Sequence, residues 1–302
     1  MTIANSILDL IGGTPMVRIN KLTNTEDAKV YAKLEWYNIG GSVKDRMALY
    51  LLNYSEARGK LSKDKIILEA TSGNTGISLA MIAAAKGYKI TIVMPESVSV
   101  ERRKIIKSYG AELVLSPAEK GTGGAIELKQ KLMKENPGKY FDTNQFKDPA
   151  NILAHYETTG KEIIDQTKGK VNMFVVGIGT AGTGVGASMR LKEFNPKIKV
   201  VGVTPKLGVS IQGLRNPREN NPTQLFKKEY FDEIIEIEKT EMPEVYETAT
   251  KAAREEGLFI GMSSAAILYV ALKKAKEIGK DKNIVTIFPD NGDKYLSTNL
   301  FD

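Results

Sequence analysis

The chain has 302 residues, 42% hydrophobic and 26% charged, with 43 Lys+Arg against 36 Asp+Glu for a net charge of +7. Those proportions belong to a globular protein large enough for two domains and exclude a disordered one. There is no cysteine and a single histidine, which excludes disulfides, thiol catalysis and Cys/His zinc sites and leaves little for a metal centre.

In chain order, residues 14–19 and 30–35 read as short strands, and a helical apolar period runs over 47–58 and stops at Gly59. Between them lies Gly40-Gly41-Ser42-Val43-Lys44-Asp45-Arg46, which sets Lys44 at a strand-to-helix junction. A desolvated amine there has a lowered pKa and can act as nucleophile or base; a solvated lysine is the plainer alternative. A strand at 66–68 enters the loop Thr71-Ser72-Gly73-Asn74-Thr75-Gly76 and a helix at 77–86. A strand (89–94), a helix (99–109), a strand (112–115), a helix (125–135) and an extended segment (140–146) follow. After Pro149 the pattern restarts with a helix over 151–166, a strand over 173–176, a Gly-rich loop, a helix over 185–194 and a strand over 199–204. His155 falls in the helical pattern with no nucleophile motif nearby and reads as structural. Residues 205–231 are polar without a period, and loops of that length usually carry function. The runs 233–237, 243–256, 258–261, 265–278 and 284–288 continue the alternation, which predicts an α/β fold of parallel strands and crossover helices.

Basic residues are spread along helices without interleaved aromatics, so no nucleic-acid partner is expected. No apolar run reaches membrane-spanning length and no signal-peptide pattern opens the chain, so a cytoplasmic protein with no membrane association is expected.

Gly177-x-Gly179-x-x-Gly182 matches the dinucleotide fingerprint, but the next strand ends in Thr204-Pro205, where an acidic residue would be needed for the ribose. No Gly-Lys-Ser/Thr follows, so it is not a P-loop. Thr180 and Thr183 suit a cup for one phosphate at a helix N-terminus; a tight turn without ligand is the alternative. A junction lysine, a Ser/Thr/Asn loop and a Gly/Thr cup together fit pyridoxal phosphate. Ser263, in Gly261-Met262-Ser263-Ser264-Ala265, is the candidate partner for its ring nitrogen, or a plain helix N-cap.

These residues resemble the cysteine synthases (O-acetylserine sulfhydrylases), fold-type II pyridoxal phosphate enzymes related to cystathionine β-synthase. The likeness runs nearly end to end and includes Ile11-Gly12-Gly13-Thr14-Pro15, Met94-Pro95-Glu96, Glu101-Arg102-Arg103-Lys104, Asn144-Gln145-Phe146, Thr158-Thr159-Gly160 and Tyr295-Leu296-Ser297-Thr298. It implies two open, twisted, mostly parallel sheets flanked by helices. The active site would lie between a smaller mobile domain at 36–148 and a larger one made of 1–35 plus 149–302. Lys44 would be the Schiff-base lysine, Asn74 would hydrogen-bond the cofactor's ring hydroxyl, Gly179, Thr180, Ala181, Gly182 and Thr183 would hold its phosphate, and Ser263 would face the pyridine nitrogen. Thr71, Ser72, Thr75 and Gln145 would bind the substrate carboxylate. Ile39 and Ala181 stand where the family usually has Pro and Gly. The short segment 208–217 resembles B-type enzymes and those that use O-phosphoserine, so that Arg215 would meet an anionic group or remain a surface arginine.

The implied reaction is β-replacement through an α-aminoacrylate, giving L-cysteine from O-acetylserine or O-phosphoserine and sulfide or thiosulfate, in a homodimer. The alternatives are a cysteine-consuming β-replacement that releases hydrogen sulfide and forms lanthionine, cystathionine or serine, then serine/threonine dehydration, and a non-enzymatic binding protein with a dead site.

Overall fold

Val- and Ile-rich runs bounded by Gly, Pro and polar turns form short strands, and amphipathic stretches between them form helices. A computed structural model describes residues 3–219 and 222–301. In chain order these are β1 (Met16–Ile19), β2 (Lys29–Leu34), α1 (Lys44–Ala57), β3 (Ile66–Ala70), α2 (Asn74–Lys86), β4 (Lys89–Pro95), α3 (Val100–Ser108), β5 (Glu112–Ser116), α4 (Gly121–Glu135) and β6 (Tyr140–Asp142). Then follow α5 (Ala150–Ala154), a π-helical stretch (His155–Gly160), α6 (Lys161–Thr167), β7 (Met173–Gly177), α7 (Gly182–Phe194), β8 (Lys199–Pro205), β9 (Glu233–Ile237), α8 (Met242–Glu256), α9 (Met262–Ile278) and β10 (Asn283–Phe288).

A six-stranded sheet has the order β1-β2-β10-β7-β8-β9 and a four-stranded sheet the order β5-β4-β3-β6. Only the β1–β2 pair is antiparallel; every other named pair is parallel. The alternation of side chains sorts the large sheet into two cores. Val175, Ile284 and Phe288 face α8 and α9, whereas Phe174, Val176, Val285 and Ile287 face α7, as the strand period of two requires. Helices therefore cover both faces, and central strands such as β4 and β10 are buried on both sides.

Two sequence expectations are corrected. The run 258–261 is not a strand: Gly257 in the left-handed region ends α8, α9 begins at Met262, and the residues between make one isolated bridge, Ile260 to Asn291. The extended segment ends at Asp142 rather than at residue 146, since Asn144 has φ 55 and turns the chain.

A buried ionic knot joins α1 to the large sheet. Arg46 bonds both oxygens of Glu35 (2.7 and 2.9 Å), both oxygens of Glu162 (2.6 and 2.8 Å) and the Thr14 hydroxyl (3.1 Å). Lys33 pairs with Glu162 at 2.6 Å. Burial alone would raise the Glu162 carboxyl, but the bonds and charges of Arg46 and Lys33 outweigh it and hold it at about 2, against 4.5 ordinarily. A folded-state pKa below the unfolded one adds stability above pH 4.5 that disappears as pH falls toward 2. Glu162→Gln should therefore cost up to about 3 kcal/mol at neutral pH. The gap to the wild type in urea unfolding should close between pH 4.5 and 2; a gap that stays constant with pH would contradict this.

Candidate active site

Ligands of open parallel sheets bind beyond the carboxyl ends of the strands. The turns after β2, β3, β7 and β10 meet there around a cleft lined by Lys44, Asn74, Gly179, Thr180, Ala181, Thr183 and Ser263 among others. Gly182 stands behind them as the first residue of α7, where a Cβ would fall on Asn151 Oδ1.

Lys44 is the first residue of α1. Burial lowers its pKa, and the charge of Asp290 is the opposing influence. An amine so placed is neutral more readily than a surface lysine and so can serve as nucleophile and base. Opposite it, α7 begins after Ala181, which caps the helix at φ 71. That conformation costs a side-chain-bearing residue about 1 kcal/mol and turns the first-turn amides, which have no intrahelical acceptor, toward the cleft. Thr180 Oγ1 accepts from Asn151 Nδ2 (3.0 Å) and from the Gly182 amide (3.4 Å), so its own proton is directed elsewhere. Amides, two hydroxyls and a helix N-terminus form a donor set suited to a phosphate.

Ser263, in the first turn of α9, is buried, and Gly213 packs against it. Gly213 has φ +95, and a Cβ there would lie 3.1 Å from Ser263 Oγ, so glycine keeps that hydroxyl open. Asn74 opens α2, and its amide is held on both sides. Nδ2 donates to Asp290 Oδ2 (2.7 Å) and Oδ1 accepts from Lys294 Nζ (3.0 Å). Tyr295 donates its hydroxyl to the same Asp290 oxygen at 2.9 Å.

The expected carboxylate binders are not among the residues that line the cleft, and their side-chain bonds fall into separate sets. Thr75 donates to Gln145 Oε1 (2.9 Å), Gln145 donates to Glu69 (2.8 Å), Thr71 accepts from the Gly73 amide, and the Ser72 hydroxyl accepts from Thr122. Asn151 ties Gln145 to the cup, donating to the Gln145 carbonyl as well as to Thr180. Arg215 is not in the main cleft. It borders a separate narrow recess with Gly179 and Thr223, over the Phe146 ring and bonded to Glu219 at 3.2 Å. Asp290, Lys294, Asn151 and the contact of His155 with Thr183 had no signal in sequence order, because each acts across 28 residues or more.

The cleft and donor set fit pyridoxal phosphate: a half-buried amine of lowered pKa, an anion cup within the same cleft, and a buried hydroxyl kept uncovered by Gly213. Two mostly parallel sheets with helices on both faces and this cleft at their carboxyl edges define a fold-type II enzyme. The family model described as "Pyridoxal-phosphate dependent enzyme" matches residues 7–290, and the chain belongs to that family; its cofactor is pyridoxal 5'-phosphate. The chain is 44% identical over 303 residues to a cysteine synthase of Aquifex aeolicus, covering 98% of this chain and 92% of that one. Its fold matches a crystal structure of cysteine synthase (OASS) from Entamoeba histolytica with TM-score 0.93 and 39% identity, covering 99% and 91% of the two chains. It also matches a hydrogen sulfide-producing enzyme of Fusobacterium nucleatum with TM-score 0.90 and 39% identity, covering 97% and 100%. Among the described residues no cluster of metal-ligating side chains occurs and no helix is long and apolar enough to cross a membrane.

Proposed function

We propose that this enzyme makes L-cysteine by β-replacement, joining a sulfur nucleophile such as sulfide or thiosulfate to O-acetylserine or O-phosphoserine. The observation that carries this reading is the half-buried Lys44 amine sharing one cleft with the Gly179–Thr183 turn and Ser263. Likeness to cysteine synthases over almost the whole chain supports it. Pyridoxal phosphate, held through its aldehyde, draws electrons from the substrate's α-carbon so that a proton can leave there and a group can leave the neighbouring carbon.

The residues divide the remaining work. Lys44 would hold the cofactor, and its Nζ would take the substrate's α-proton and later return it. The first turn of α7 with Thr180 and Thr183 binds the phosphate. Ser263 would present a neutral hydroxyl to the ring nitrogen, where a carboxylate would hold a proton, so the ring would be the weaker electron sink that suits loss of a β-group. Asn74, braced by Asp290 and Lys294, holds the ring hydroxyl. Thr71, Ser72, Thr75 and Gln145 take the substrate carboxylate when the unit at 36–148, which contains the whole four-stranded sheet, closes on the unit formed by 1–35 and 149–302. We assign Arg215 to an anionic leaving group, supported by its cation bordering the adjoining recess beside Gly179. A second copy of the chain is the partner the family likeness suggests; Ile3, Ile7 and Leu10 offer exposed apolar side chains on the N-terminal segment.

The likeness to the hydrogen sulfide-producing enzyme supports a second reading, in which cysteine itself supplies the β-group and sulfide is released. Turnover of O-acetylserine or O-phosphoserine with sulfide, compared with sulfide release from cysteine, separates the two. We expect cysteine formation to be faster by about 100-fold in kcat/KM, a difference of roughly 3 kcal/mol in transition-state binding. Faster sulfide release would establish the second reading, and 2-oxo acid formation from serine or threonine would overturn both.

A further inference from the structure

His155 is the only histidine of the chain and opens the π-helical stretch between α5 and α6. Such a widened turn re-aims side chains and is frequent at functional sites. α7 crosses this stretch closely: a Cβ on Gly186 would fall on the Ile152 carbonyl, and one on Gly160 would lie 2.6 Å from Arg190 Cβ. That approach brings the buried imidazole to the first turn of α7. Its Nε2 lies 3.1 Å from Thr183 Oγ1, and its Nδ1 lies 2.9 Å from Thr159 Oγ1. Burial, reinforced by the positive charges of Arg46 and Lys44 and opposed by Glu162, keeps the ring neutral. One nitrogen therefore donates and the other accepts.

Proton accounting selects between the two arrangements. Thr159 is fully buried, and its recorded side-chain bond is the one to Nδ1. If Nδ1 carried the proton, the Thr159 hydroxyl would accept it and leave its own hydrogen without a recorded acceptor in a buried site, which is costly. With the proton on Nε2, Thr159 donates to Nδ1 and Nε2–H donates to Thr183. The Thr183 proton is then free to point into the cup. Asn151 treats Thr180 in the same way, donating to its oxygen.

We propose that His155 is a positioning residue for the cofactor phosphate: its Nε2–H donates to Thr183 Oγ1 and commits the Thr183 hydroxyl to donate into the cup. This rests on the reading of Gly179–Thr183 as the phosphate site. A single histidine makes the arrangement directly visible. In the cofactor-loaded protein labelled with 15N-histidine, the nitrogen spectrum should place the proton on Nε2; a proton on Nδ1 overturns the proposal. The second arm is a double-mutant cycle on the dissociation constant of pyridoxal phosphate. Thr183→Val should weaken binding about tenfold and His155→Leu by a similar factor. In the Thr183→Val background, His155→Leu should add less than about twofold, because the two act through one hydroxyl. His155→Gln, which keeps a donor, should recover most of the affinity. A role confined to packing would instead lower apoprotein melting temperature and cost the same factor in both backgrounds, which overturns the proposal. If Thr183→Val weakens binding and His155→Leu does not, the cup stands and the role of His155 falls; if Thr183→Val has no effect, the cup assignment itself fails and takes the proposal with it.

Discussion

Lys44→Ala should lower turnover by between about 10²- and 10⁴-fold, the usual worth of a positioned acid–base group, and should abolish covalent attachment of the cofactor. The folded protein should persist, since Lys44 has no ion pair among the described residues and its helix is anchored two residues later by Arg46. Pyridoxal phosphate should still bind, more weakly, because the phosphate cup does not include the amine. This combination separates the proposed role from a structural one: a lysine that merely filled space would change stability and leave turnover within about tenfold.

Arg46→Met should destabilise the protein by about 3–5 kcal/mol in urea unfolding at neutral pH, the cost of leaving a buried charge without its partner. Arg46 and Glu35 are both essentially inaccessible to solvent, and the guanidinium grips Glu35 with two parallel bonds. Burial pushes the Glu35 carboxyl up, and Arg46, Lys33 and Thr14 together more than reverse that; without Arg46, burial is left opposed mainly by Lys33 and Thr14. Pairing Arg46→Met with Glu35→Gln should recover part of the loss, because the second change removes the stranded charge. A loss below about 1 kcal/mol in the single variant would show that water or rearrangement satisfies Glu35 and that the knot is not what ties α1 to the large sheet.

Much of the candidate site could be singled out in the chain, with a consistent error at the starts of its helices. Periodicity placed the starts of the four site helices at residues 47, 77, 185 and 265, whereas they begin at Lys44, Asn74, Gly182 and Met262. Each begins three residues early for one reason. The first turn carries amides, hydroxyls and an amine turned toward the cleft, so it shows no apolar repeat, and the pattern becomes readable only where the helix starts to face its core. Composition marked those same turns by their Gly, Ser and Thr content, which is why Lys44, Asn74 and the 179–183 turn could be singled out. What could not be read was who holds them. Asp290 reaches Asn74 across 216 residues and His155 reaches Thr183 across 28, and such pairs exist only once the parallel strands bring their carboxyl ends together. The expected strand at 258–261 failed because the β-period there reflects burial beside Asn291 and not a partner strand.

The central claim is that the Lys44 amine is the cofactor's point of attachment. Borohydride reduction of the cofactor-loaded protein, followed by proteolysis and mass spectrometry, reads that attachment directly. The account predicts the phosphopyridoxyl mass on the peptide containing Lys44 and on no other lysine. The same mass on a different lysine, or on none, would contradict it.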